Sequence, residues 1–141
     1  MSKEIVKDRI FLCHPSEEIP YGEELSSLYE DLVNTLRQHK HGVGLSAVQI
    51  GVHKRAFVIK MKNGDFYFFA NPKITKKRDI QESTEGCLSV PDVVKVIFRP
   101  RLVTIKGFDE NWNPIKIKLH DFEAAIACHE YDHLDGILID F

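Results

Sequence analysis

The segment Ala127-Cys128-His129-Glu130-Tyr131-Asp132-His133-Leu134 constrains this chain more than any other stretch. It contains H-E-x-x-H. Residues four apart share one face of an α-helix, so His129 and His133 can present their rings to one metal ion, with Glu130 beside the first of them. Two imidazoles leave a tetrahedral ion short of ligands, so the rest of the chain has to bring a further donor to this helix. Phe122, Ala125, Ile126 and Leu134 give the segment an apolar side, which predicts a half-buried helix over 122–134. Asp121 is placed to cap its start and Gly136 to stop it. The bland explanation is a polar helix face that happens to carry two histidines. The apolar side argues against it, because histidines and a glutamate on a helix packed into a core need partners.

The remaining length bounds the answer. A chain of 141 residues, 43% hydrophobic and 28% charged, suits one globular domain spanning 1–141. A net charge of −2 gives no reason to expect nucleic-acid binding or an anionic membrane surface. The basic cluster Lys73, Lys76, Lys77 and Arg78 reads as a solvated turn. No apolar run approaches the ~20 residues of a membrane span, and Met1-Ser2-Lys3-Glu4-Ile5 is neither a signal peptide nor a transit peptide. Cys13, Cys87 and Cys128 are odd in number and widely spaced, which argues against a disulfide framework and for a reducing compartment.

Along the chain, residues 1–22 read as irregular, with a short apolar patch at Ile10, Phe11 and Leu12. Leu25, Leu28, Tyr29, Leu32, Val33 and Leu36 recur at helical spacing and predict an amphipathic helix from Gly22 to about Lys40. His39 and His41 fall in its last turn and are expected to be exposed rather than ligands. Arg55–Lys60 and Asp65–Ala70 read as strands joined by an Asn63-Gly64 hairpin turn, followed by a short strand at 73–75. The aromatic run Phe66–Phe69 reads as packing. Val93–Phe98, Leu102–Phe108 and Ile115–Leu119 are further strands, broken at Arg99-Pro100-Arg101 and at the turn Asn111–Pro114.

Two stretches offer partners for the histidine helix. Gly42-Val43-Gly44-Leu45-Ser46-Ala47-Val48-Gln49 is small and apolar and ends on an amide. It does not match a dinucleotide fingerprint, since no strand precedes it and the third glycine is misplaced. A buried Gln49 needs partners; it can serve as a backbone tie or as a donor to a substrate oxygen. In Glu85-Gly86-Cys87-Leu88-Ser89, Cys87 is the best third ligand among the three cysteines, since thiolate suits zinc or iron. Cys128 should point about 100° away from His129, at ~3.6 residues per turn.

Taken in this order and at these separations, G-V-G-L-S-A-V-Q, E-G-C-L-S and H-E-Y-D-H resemble the three signature motifs of the peptide deformylases, over roughly residues 22–138. The resemblance implies an α+β fold, with antiparallel β-sheets packed around the C-terminal metal-binding helix and one N-terminal amphipathic helix. It implies removal of the formyl group from the N-terminal formyl-methionine of nascent polypeptides, with release of formate. By motif, Cys87, His129 and His133 would bind one divalent metal, with water as fourth ligand. The metal is Fe²⁺ in many members; Zn²⁺, Ni²⁺ or Co²⁺ can replace it. Glu130 would be general base and acid, and Gln49 with the Leu88 N–H would hold the formyl oxygen. Val43, Gly44 and Ile126 would contact the methionine and its backbone. An ion pair between Glu85 and Arg99 would fix the cysteine loop. The implied setting is a monomer in the cytoplasm of a bacterium, or of the host if phage-encoded, working near the ribosome.

Some positions depart from the family pattern. Ser46 stands where many members have alanine, and Cys128 where glutamine is usual. Val93 and Val94 occupy a stretch that often carries a positive charge. The chain stops soon after the histidine helix and resembles the shortened forms encoded by some bacteriophages, without the C-terminal helix that docks on the ribosome. Two other readings compete. A metallopeptidase of the H-E-x-x-H class needs a third ligand downstream, and only Asp135 and Asp140 are available. A catalytically idle metal-binding module would bind metal without turnover.

Overall fold

Ala56-Phe57-Val58-Ile59 and Phe68-Phe69-Ala70 are apolar without alternation, a pattern that fits strands covered on both faces. The computed structural model, which describes residues 1–140, places them at the centre of a sheet with a helix on each side. In chain order the elements are α1 (Arg9–Cys13), α2 (Ser26–Arg37), β1 (Gly44–Ser46), a 3₁₀ turn (Ala47–Ile50), β2 (Ala56–Lys60), β3 (Phe66–Cys87), β4 (Val90–Phe108), β5 (Pro114–His120) and α3 (Asp121–Leu134). The strands form one antiparallel sheet in the order β1-β2-β3-β4-β5, where separate sheets were expected.

The two faces divide the core. Ala56, Val58, Phe68 and Ala70 pack with Leu32, Val33 and Leu36 of α2. Phe57, Ile59 and Phe69 pack with Ala124, Ala127, Cys128 and Leu134 of α3. Each large side chain fully buried here contributes about 1.5–3 kcal/mol, so this middle layer anchors both helices. Pairing of Ala56 with Ala70 through Lys60 with Phe66 sets the register between β2 and β3.

Three further expectations need correction. The N-terminal region is not wholly irregular: Asp8 accepts hydrogen bonds from the N–H groups of Ile10 and Phe11, at 2.9 and 3.2 Å, and starts α1. Five residues are too few for a periodic signal; Leu12 is buried while Ile10 is exposed. The segments read as several short strands are two long ones, β3 and β4, paired from Ala70 with Phe108 out to Cys87 with Val90. Pro100 does not break β4, because β5 begins to pair only at Leu102 and the missing N–H of the proline costs no ladder bond on that side. The supposed cysteine loop is therefore the tip of a β-hairpin arm.

The third correction concerns α3. Its N-cap is His120, not Asp121, whose side chain pairs instead with Arg101 at 3.0 Å. The helix is also more enclosed than half-buried: Ala124 through Glu130, His133 and Leu134 are all buried. The sheet covers one side and the arm with β1 covers another, while Phe122 is exposed. Gly136, at φ +76°, follows the helix as expected, and Arg55 donates to the terminal carbonyl of Leu134 at 3.0 Å.

Candidate active site

The end of β3 and the face of α3 bring three donors together. The ligand atoms of Cys87, His129 and His133 all lie within 4.8 Å of one another. Cys87 Sγ is 3.4 Å from His133 Nε2, and the two imidazole centroids are 5.1 Å apart. Both histidines are buried and Cys87 is half-buried. One thiolate and two imidazoles are a donor set for a borderline-soft ion such as zinc or ferrous iron.

Charges around the cluster favour a cation at its centre. His129 Nδ1 is 2.9 Å from Glu85 Oε1, which leaves Nε2 for the cluster. Glu85 also accepts two bonds from Arg99, at 2.8 and 2.9 Å, and Arg99 donates a third bond to Asp132 on α3 at 2.6 Å. The Glu85–Arg99 pair expected from sequence is thus present, and it reaches both the helix and its first histidine. Burial pushes the Glu85 carboxyl up, but Arg99 and His129 hold it at about 2. His129 is drawn the other way: burial lowers it, yet Cys87 and Glu85 raise it to about 10. Burial and the neighbouring charges of His129 and Arg99 lower His133 to about 3, so its ring stays neutral and able to coordinate. Cys87 and Glu85 thus favour positive charge at His129, and a metal ion suits the same place. The residues fit the ion that the motif implies.

Glu130 lies beside this cluster, nearly fully buried. Its burial raises the carboxyl above the usual carboxylate range. Ser46 Oγ lies 2.9 Å from Glu130 Oε1 and 3.0 Å from the Glu130 carbonyl oxygen. Across from it runs the backbone of Gly44: a Cβ added there would come 2.7 Å from Glu130 Oε2 and 2.9 Å from Cγ. This glycine is needed for close approach rather than for unusual backbone angles.

Gln49 is a backbone tie, the first of its two candidate roles. Its Oε1 accepts from Ser46 N–H at 2.9 Å, which fixes the amide, and its Nε2 donates to Ser89 Oγ at 3.1 Å and faces Cys87 Sγ at 3.6 Å. The donor end therefore points toward the cluster. Leu88 sits in the hairpin turn next to Cys87. A groove of about 680 Å³ opens over these groups, lined among others by Val43, Gly44, Gln49, Leu88, Ile126 and Glu130. His39 and His41 also line the groove but are not part of the donor cluster; His41 is exposed as expected, while His39 is half-buried, and exposed Phe122 lines the groove as well. β1 borders the groove as an edge strand, paired on one side only.

Among the remaining candidates, Asp135 pairs with Arg55 and Asp140 with Arg9, so neither is a third ligand for the histidines. Cys128 faces the core, where burial raises its thiol to about 11, and it is a packing residue. Sequence reasoning passed over Asp132, Ser89 and the role of Ser46. Asp132 lies inside the histidine motif and carried a signal in its spacing to Arg99 only after the arm was placed.

A cysteine, two histidines and a buried glutamate at the floor of an open groove define a candidate metallohydrolase centre. The sequence model of the polypeptide deformylase family matches residues 4–140, and the chain belongs to that family. It is 39% identical over 116 residues to peptide deformylase 2 of Clostridium acetobutylicum, covering 82% of this chain and 77% of that protein. It is 37% identical over 132 residues to the peptide deformylase of Pelotomaculum thermopropionicum, covering 93% and 83%. The structure superposes on the peptide deformylase of the Vibrio parahaemolyticus bacteriophage VP16T, solved with actinonin, at a TM-score of 0.91 and 34% identity, covering 96% and 99% of the two chains. The Thermus thermophilus enzyme gives 0.91 and 32%, covering 98% and 83%. The activity that goes with membership is peptide deformylation, removal of the formyl group from nascent peptides.

Proposed function

We propose that the protein hydrolyses the formyl amide of N-formylmethionyl peptides at the groove floor, with Cys87, His129 and His133 holding one divalent ion. The observation that carries this reading is the convergence of those three donors, within 4.8 Å of one another, beside buried Glu130. Bound there, the ion supplies Lewis acidity toward water and toward the formyl carbonyl. Glu130 accepts the proton from the attacking water and delivers it to the amine that leaves, so formate and a free methionyl N-terminus result. Its raised affinity for protons, caused by burial, suits both halves of that transfer. Gln49 Nε2 and the Leu88 N–H donate to the formyl oxygen as negative charge builds on it; one such donor is worth ~10²–10³ in rate. Glu85 orients His129, and Arg99 ties both to Asp132.

The substrate lies along β1, whose free edge adds the extended peptide as a further strand and gives affinity with little dependence on downstream side chains. Val43 and Ile126 face the methionine side chain, and Gly44 leaves room for the backbone. The cysteine suits Fe²⁺, the native ion that the family resemblance implies, and Zn²⁺, Ni²⁺ or Co²⁺ can substitute. The enzyme acts as a cytoplasmic monomer on chains emerging near the ribosome.

The test is formate release from a formyl-Met tripeptide by protein loaded anaerobically with Fe²⁺, or with Ni²⁺ or Co²⁺, beside Glu130→Gln. Formate release should fall ~10²–10⁴-fold in the variant with metal content unchanged. No formate from any of the three loaded forms would sink the reading.

A further inference from the structure

Ser46 is the last residue of the edge strand β1, fully buried, and 84 positions from the glutamate it touches. Its hydroxyl has one hydrogen and two acceptors in range, Glu130 Oε1 at 2.9 Å and the Glu130 carbonyl at 3.0 Å. A carboxylate is the stronger acceptor, so the hydrogen goes to Oε1. On the other side, Gly44 backs Glu130 Oε2 and Cγ so closely that even a methyl group has no room. The carboxylate plane is therefore fixed from both ends: Oε1 by a hydrogen bond, Oε2 by backbone packing. Among the described residues, no hydrogen bond reaches Oε2. Gln49, through the Ser46 N–H, holds the serine itself in place.

We propose that Ser46 is a positioning residue that pins Glu130 Oε1 and so reserves Oε2 as the oxygen that carries the transferred proton. The inference rests on Glu130 being the general base. Carboxyl torsions are broad and soft, so a buried glutamate without this tie turns about its last bond. Each turn that presents the wrong oxygen, or tilts the plane, removes a fraction of productive geometry without altering the groove. The effect belongs in kcat and not in KM.

The experiment is a double-mutant cycle with Ser46→Ala and Glu130→Ala, singly and together, in metal-loaded protein. Alanine fits a serine position without crowding, so folding is not at risk. Readouts are kcat, KM, bound metal, and the melting temperature of the metal-free forms. Expected for Ser46→Ala is a kcat loss of about tenfold with KM and metal content within about twofold of the parent, the size of one lost orienting bond. Expected in the Glu130→Ala background is a further change under about twofold, and a smaller drop in melting temperature than Ser46→Ala causes alone. An unchanged kcat in Ser46→Ala, or an equal loss in both backgrounds, overturns the proposal while leaving Glu130 as the base. Full activity in Glu130→Ala overturns the base itself, and the role of Ser46 with it.

Discussion

Replacing Glu85 by glutamine should damage the centre without touching a proposed ligand. The side chain keeps its shape and loses its charge. Glu85 is 8% exposed and so is Arg99, so little solvent screens their interaction. In the folded protein the carboxyl falls from its ordinary 4.5 to about 2. At ~1.4 kcal/mol per pH unit, that corresponds to about 3 kcal/mol of folding free energy. Removing one member of a buried ion pair costs about 3–5 kcal/mol by general experience, the same scale. In a domain of this size the midpoint should drop by about 10 °C. The sign with pH follows from a folded value below the unfolded one. The contribution is complete above about pH 4.5 and disappears as pH falls toward 2. The parent should therefore lose stability across that window, and Glu85→Gln should lack this part of the slope. Glutamine also leaves His129 Nδ1 without its anionic partner, so metal affinity should fall 10–100-fold. Urea unfolding from pH 2 to 7, with metal content measured at pH 7, checks all three. A variant within roughly 1 kcal/mol of the parent at pH 7, with full metal content, would refute the reasoning.

The other perturbations act through space rather than charge. Gly44→Ala would place its Cβ 2.7 Å from Glu130 Oε2, and should lower kcat at least tenfold with the metal retained; steady-state kinetics with metal analysis reads it. Gly136→Ala would combine φ +76° with a Cβ driven into the Cys13 carbonyl, and should destabilise by about 2–4 kcal/mol in thermal unfolding, with kcat at permissive temperature kept. Glu130→Gln and the Ser46 cycle complete the set, and separate proton transfer from its positioning.

Legibility in the sequence followed sequence distance. The histidine helix, the Asn63-Gly64 turn and the apolar strands announce themselves within a few residues, and the structure has them. The family motifs also identified the residues that line the groove, because each motif is short and contiguous. The arm was misread because Pro100 looks like a break; only the absence of β5 beside it makes a proline harmless there. Asp121 looked like a cap until Arg101, brought near by the pairing of Leu102 with His120, claimed its carboxylate. Ser46 looked like a small variation on alanine. Its significance lies in an oxygen 84 residues downstream, and no local pattern contains that distance.

The arm sets an order of events during synthesis. Cys87 leaves the ribosome early, on a hairpin that can close by local pairing, while its partner His133 follows 46 residues later on the last helix. Of the three proposed ligands, a growing chain thus offers only Cys87 until α3 is made. With the proposed ligands, metal binding would be a closing step that ties the hairpin tip to the final helix. An enzyme that trims newborn chains would be unable to act before its own chain is nearly finished.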